Sequence, residues 1–253
     1  MRATKDGTTS FSNAGDLWPV SINEKSYGYI DKDGDLVIEL PESYVPRFFT
    51  EGLAMVDINH KQGFIDKTGK LVIPAIYDSA YPFTNGFAAV ETDGKWGFVD
   101  RTGKLAIKAI YDEEYWANGS NYIFEEGLCS VSLNGEYGYI DSNGDFAIPP
   151  KYVLAAPFSE GRALVELGNK WGFINAKGNL VIPVVYDGAA YFKNGLAPVK
   201  LNEKYGFVDI SGNVAIPATY YWTGPFKNGL ALVYVTNALA GYIDTKGIQY
   251  WGD

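Results

Sequence analysis

KWGFVDRTGKLAI, residues 95–107, recurs in altered form within its own chain, as KWGFINAKGNLVI from Lys170 and KYGFVDISGNVAI from Lys204. Indexed on the glycine that follows the first ring, the copies fall at Gly28, Gly63, Gly97, Gly138, Gly172, Gly206 and Gly241. Their spacings are 35, 34, 41, 34, 34 and 35 residues. A near-constant interval of this size marks a repeat architecture in which each copy is one supersecondary unit.

Within a copy, each position has a job. An aromatic ring follows the glycine every time: Tyr29, Phe64, Phe98, Tyr139, Phe173, Phe207 and Tyr242. Two residues later stands Asp, or Asn at 175, and three beyond that a second glycine, from Gly34 to Gly247. Asp-x-x-Gly between two apolar runs predicts a hairpin turn, the carboxylate capping turn amides and the glycine adopting positive φ. The returning strand is β-branched and is expected to stop at Pro74, Pro149, Pro183 or Pro217, where a ladder donor is lost. Upstream, F-x-[E/N]-G begins at Phe49, Phe83, Phe124, Phe158, Phe192 and Phe226 and leads into strands such as GLAMV. Each unit of about 34 residues therefore predicts a three-stranded antiparallel meander, with linkers that carry Tyr77, Tyr111, Tyr152, Tyr186 and Tyr220.

Strand alternation puts Trp96, Phe98 and Asp100 on one face and Gly97 and Val99 on the other. Both faces are apolar, so a lone sheet of this size would not persist in water and copies must cover one another. The ring face is expected to lie on the neighbour's glycine face. The first and last copies lack polar outer faces, which predicts an all-β fold closed into a β-propeller-like ring. An open, twisted β-solenoid is the alternative, because 34 residues is short for a four-stranded blade. Residues 1–16 read as a polar leading segment. Residues 17–253 read as one repeat domain, with units at about 17–40, 52–74, 86–108, 127–149, 161–183, 195–217 and 229–251.

The pattern [W/Y]-G-[F/Y]-[I/V]-D-x-x-G-x-x-x-I-P, with F-x-x-G-L-A-x-V upstream, resembles the bacterial WG-repeat (KWG) proteins from about Phe11 to Trp251. Gln62 and Ala240 depart from it at the ring, and Glu39 and Lys108 at the proline. The resemblance implies a binding or scaffolding module and brings no catalytic residues with it. A looser similarity links the aromatic hairpin to choline-binding cell-wall repeats.

Composition sets limits on partners. The formal net charge is −9, which repels phosphate backbones and anionic lipid, so nucleic acid is not an expected partner. No stretch is long and apolar enough to span a membrane, so membrane insertion is not expected either. The lone cysteine, Cys129, lies in the apolar run GLCSV and reads as a small core residue. The opening residues have no apolar signal-peptide core, which leaves the compartment open between cytoplasm and cell envelope or export. His60 is the only histidine and reads as a turn residue, and the His and Cys counts exclude zinc sites of the usual kind. DKDGD at Asp31 and DSNGD at Asp141 resemble half of a calcium loop, but the same turn recurs without the extra acids, so hairpin geometry accounts for them. Adjacent acids such as Glu113–Glu114 and Glu125–Glu126 point apart and do not form an acid/base pair. No enzyme activity, metal or cofactor is expected.

The recurring residues are committed to packing, which leaves the linkers for recognition. The long interval contains DEEYWANGSNYIF, with Tyr115, Trp116 and Tyr122, and the last full linker contains Tyr221 and Trp222. These five residues are the candidate ligand-binding set. The expected function is a non-catalytic scaffold or binding module for a protein or peptide. A carbohydrate- or cell-wall-binding module that uses the same rings is the alternative.

Overall fold

A computed structural model of the chain describes residues 17–112, 122–236 and 239–250. Contacts divide the chain into two compact units, Met1–Glu113 and Glu114–Asp253. Every paired strand among the described residues is antiparallel. In the first unit, the first sheet comprises Trp18–Ser21, Tyr27–Ile30 and Leu36–Glu39. The second comprises Tyr44–Thr50, Leu53–Ile58, Lys61–Asp66 and Leu71–Tyr77, and the third Ser79–Ala80, Phe87–Thr92, Lys95–Asp100 and Leu105–Tyr111.

Among the described residues, the second unit holds four more sheets. The fourth sheet comprises Cys129–Leu133, Glu136–Ile140 and Phe146–Tyr152, and the fifth Leu154–Ala155, Ala163–Leu167, Lys170–Ile174 and Leu180–Tyr186. The sixth comprises Gly188–Ala189, Leu196–Leu201, Lys204–Asp209 and Val214–Tyr220, and the seventh Trp222–Thr223, Leu230–Tyr234, Ala240–Asp244 and Gln249–Tyr250. The expected three-stranded meander is present in every sheet. In five of the seven, the linker adds a fourth strand, and in four of those five it is only two residues long. That economy is how about 34 residues make a four-stranded, propeller-like blade.

The hairpin turns form as the sequence implies. In all seven, the Asp or Asn Oδ1 accepts two backbone N–H bonds, as at Asp100 from Thr102 (2.8 Å) and Lys104 (3.2 Å), and at Asn175 from Lys177 and Asn179 (3.0 Å each). Asp31 and Asp141 do the same with their own turns. Hydrogen bonds from the Thr68 and Thr102 hydroxyls, reinforced by turn amides, hold the Asp66 and Asp100 carboxyls below the usual carboxylate range. A carboxyl depressed in the fold stabilises it above the ordinary value near 3.9, and that contribution disappears as pH falls through the lower folded value. Urea midpoints should therefore hold steady down to about pH 4 and decline below it. Asp100→Asn, which copies native Asn175, should remove part of the decline.

Two expectations about the sheets are corrected by the coordinates. The third strand does not stop at its proline but runs on to the tyrosine, as in Leu71–Tyr77 and Leu180–Tyr186. These are edge strands, where a proline removes no donor that a neighbour needs. Exposed Glu39 and Lys108 stand at the proline position of the first and third sheets, and a charge guards an edge as a proline does.

The second correction concerns the mid-strand glycine. In the third sheet, Trp96 pairs with Tyr111 and Phe98 with Ile107, so two steps on the central strand face four on the last. The extra residues bulge over Gly97, and a Cβ there would lie 2.6 Å from Ala109 N and 2.7 Å from Ile107 O. The glycine thus admits its own sheet's backbone, not the neighbour's rings. The glycine that meets a neighbouring sheet is the turn glycine. A Cβ on Gly103 would touch Ile73 at 3.2 Å and one on Gly212 would touch Ile182 at 3.2 Å.

The ring face does pack on the next sheet, against its small aliphatics. In the first unit Phe64, Ile73 and Tyr77 pack with Ala88, Val90 and Val99. In the second, Phe173, Ile182 and Tyr186 pack with Ala197, Val199 and Val208. At each such junction the recurring ring meets the phenylalanine of the next F-x-[E/N]-G turn: Tyr29–Phe49, Phe64–Phe83, Tyr139–Phe158, Phe173–Phe192 and Phe207–Phe226, with centroids 4.8–4.9 Å apart. The two signatures of the repeat are therefore halves of one contact.

A carboxylate staple joins the F-x-[E/N]-G turns. Both turn residues have positive φ, 53° at Glu160 and 75° at Gly161, which is the two-residue turn that suits strand twist. Glutamate is an uncommon choice there. Its side chain explains it: Glu160 accepts the amides of Asn194 (2.7 Å) and Gly195 (2.8 Å), one repeat further on. Glu51 does the same for Asn85 and Gly86, and Glu126 for Gly161. In Glu160→Ala, amide hydrogen exchange at Asn194 and Gly195 should quicken roughly tenfold or more, while Gly86, held by Glu51, stays unchanged.

Candidate functional site

The linkers between sheets follow a plan of their own. The lysine that opens the central strand reaches the aspartate after the linker tyrosine: Lys61–Asp78, Lys95–Asp112 and Lys170–Asp187, each at 2.5 Å. These lysines hold the Asp78 and Asp187 carboxyls below their usual range. In the fourth sheet both partners change together, to Glu136 and Val153. Gln62 replaces the ring in the second sheet, and its Oε1 accepts the Ala80 amide at 2.5 Å.

The linker into the seventh sheet departs furthest. Tyr221 stands where Asp78, Asp112 and Asp187 stand elsewhere, and Lys204 Nζ lies 3.1 Å from the centroid of its ring. A cation over an aromatic face replaces the ion pair. Trp222 follows, paired across the strands with Tyr234, their rings 5.8 Å apart at 79°. Gly224 lies beneath the indole: a Cβ there would approach the Trp222 ring at 3.3 Å. Tyr221 is 48% and Trp222 45% exposed. With Leu232, Tyr234 and Thr236 they line an open groove of about 440 Å³.

Of the five candidate residues, the structure brings Tyr221 and Trp222 together. Tyr122 is buried and lines neither this groove nor the recess described next. Tyr115 and Trp116 lie outside the described residues.

A recess of about 520 Å³ between the fifth and sixth sheets has no counterpart among those candidates. Its origin is a substitution between repeats. In the third sheet the Tyr81 ring lies tilted over Trp96, with centroids 5.1 Å apart at 37°, and the indole is almost wholly buried. In the fifth sheet the corresponding positions hold Ala156 and Trp171, and the indole is only half-buried. Tyr191, Glu125 and Glu126 complete much of the wall. The signal was present in the sequence as an alanine where another linker has tyrosine.

A family model for the WG-containing repeat matches residues 27–61, 63–96, 96–137, 137–171, 171–205 and 205–237. The chain belongs to the WG-repeat family. Each matched segment runs from the ring strand of one sheet towards that of the next, and five of the six, all but 96–137, contain one of the ring-to-phenylalanine pairs described above. No curated protein matches the sequence of this WG-repeat protein. Among solved structures, a eukaryotic initiation factor is 11% identical over 90% of this chain and 70% of its own, with a TM-score of 0.53. BamB from Moraxella catarrhalis is 10% identical over 93% and 84%, with a TM-score of 0.47. The computationally designed Ika8 protein is 12% identical over 94% and 84%, with a TM-score of 0.46. At such identities the likeness concerns the fold alone.

Proposed function

We propose that this WG-repeat protein is a non-catalytic binding module that recognises a protein or peptide through the linkers between its repeats. The observation that carries this reading is the contrast between repeat and linker. The recurring rings are buried in six of the seven sheets, Tyr242 of the seventh being the exception, and the seven turn Asp or Asn side chains are hydrogen-bonded within their hairpins. The seventh-sheet linker instead exposes Tyr221 and Trp222 on a groove braced by Tyr234 and Gly224. Aromatic side chains with few rotamers give large contact area at low entropic cost, as in antibody paratopes.

The repeats themselves supply the control. Tyr221→Asp with Trp222→Ser rewrites this linker as the Asp78–Ser79 linker and gives Lys204 an ion-pair partner, so the fold is retained. Peptides selected from a displayed random library on the natural protein should bind the rewritten one at least roughly tenfold more weakly. A library that yields no binder sensitive to the rewriting would overturn the proposal.

The exposure of the same two rings also supports the alternative, a glycan- or cell-wall-binding module, since flat rings stack on sugar faces. A glycan array probed with both proteins separates the readings. Signals lost on rewriting, together with a silent peptide library, would favour the sugar.

A further inference from the structure

We infer that the recess beside Trp171 is a second recognition site, which takes the side chain of an arginine presented by a peptide. The inference rests on the reading of the linkers as a recognition surface, but at a different junction from the Tyr221 groove.

Three observations point to that ligand. First, the recess is the space that Tyr81 fills in the third sheet, vacated here by Ala156, so a planar group resting on the indole repeats a contact the framework already makes. Second, the walls are aromatic and aliphatic, with Trp171 and the buried Phe158 and Leu164, and Tyr191, 48% exposed, flanks the opening. Third, the lining carries three carboxylates, Glu125, Glu126 and Glu160, and no lysine or arginine. Two of these are already fixed: Glu126 accepts the Gly161 amide and Glu160 those of Asn194 and Gly195. Both side chains are held beside the recess without having to be ordered by a ligand.

A guanidinium meets all three conditions. It is flat, weakly hydrated, stacks on indole through the ring quadrupole, and is drawn by nearby carboxylates. Its methylene stem covers the apolar wall. A phosphate or carboxylate ligand would be repelled. A neutral ring of the same size would gain the stacking but not the charge. The chain's net charge of −9 acts in the same direction over longer range.

The test uses the whole chain labelled at its six tryptophans, with Trp171→Phe assigning the indole signal. N-acetyl-arginine amide is titrated against its neutral isostere N-acetyl-citrulline amide and against N-acetyl-glutamate amide. Arginine should shift the Trp171 indole N–H signal saturably, and citrulline should bind roughly tenfold more weakly or not at all. Ala156→Tyr, which rebuilds the Tyr81–Trp96 arrangement, should abolish the shift, Glu125→Gln should weaken it, and near-UV dichroism checks that both variants are folded. The Tyr221→Asp/Trp222→Ser protein should respond like the natural one, so the groove and the recess fail or succeed separately. Equal responses to arginine and citrulline, or a response that survives in a folded Ala156→Tyr protein, would overturn the inference.

Discussion

Alanine in place of Gly97 is expected to destabilise the first unit by about 3 kcal/mol, near the upper end for an overpacked site. The added methyl would sit 2.6–2.7 Å from Ala109 N, Ala109 Cα and Ile107 O. All three are backbone atoms of the bulge, so no side-chain rotation relieves the overlap. Relief requires the bulge to open, and with it the pairing of Trp96 with Tyr111. Gly86 provides the comparison. Its φ is +86°, and a Cβ there would meet nothing within 4 Å. Gly86→Ala should therefore carry only the left-handed backbone penalty, about 1–2 kcal/mol. Urea midpoints of the two variants, with hydrogen exchange reporting which sheets open, decide the matter. Equal losses at the two positions would refute the bulge account of the mid-strand glycine.

Truncating Phe173 to alanine should cost the second unit about 3–5 kcal/mol, the range for a fully buried ring. Phe173 has no exposed surface and Phe192 has 1%. Their centroids lie 4.9 Å apart at 62°, an edge-to-face arrangement. Each single alanine variant leaves the other ring facing a void, so the double variant should lose less than the sum. A coupling of about 0.5–1.5 kcal/mol is expected from the aromatic pair alone. Strict additivity in that cycle would mean that the repeat's two signatures do not recognise each other. Long repeat arrays lose two-state behaviour, so hydrogen exchange in the fifth and sixth sheets is the safer readout.

Most of this architecture could be read from residue order. The interval between glycines gave the number of sheets, Asp-x-x-Gly gave the hairpins, and the alternation at 96–100 gave two apolar faces. What could not be read was depth. Alternation assigns Gly97 and Val99 to the same face, but only coordinates reveal that I-x-x-x-Y, from Ile107 to Tyr111, arches over the glycine. Proline does not end the third strand, because an edge strand has a side on which no donor is required. The binding candidates divided for a related reason. Ring content singled out Tyr122 and Tyr221 equally, yet one is buried and the other exposed, and composition does not encode burial. The recess beside Trp171 is not legible in residue order, because only the structure places the Tyr81 ring over Trp96 and so shows what Ala156 leaves open.

The glutamate staple also bears on how this protein ages. Lys193-Asn194-Gly195-Leu196-Ala197 and Lys227-Asn228-Gly229-Leu230-Ala231 are the same pentapeptide in the same turn, with asparagine φ of 56° and 52°. Spontaneous deamidation at Asn-Gly begins when the glycine nitrogen attacks the asparagine amide carbon, expelling ammonia and leaving a succinimide that water opens to aspartate or isoaspartate. At Gly195 that nitrogen is engaged by Glu160. One repeat on, the residue in the staple position is Asn194 rather than glutamate, and Gly229 N–H has no hydrogen-bond partner among the described residues. Peptide mapping of protein stored warm at mild alkalinity should find the extra dalton on Asn228 well before Asn194, and Glu160→Ala should bring the two to similar rates.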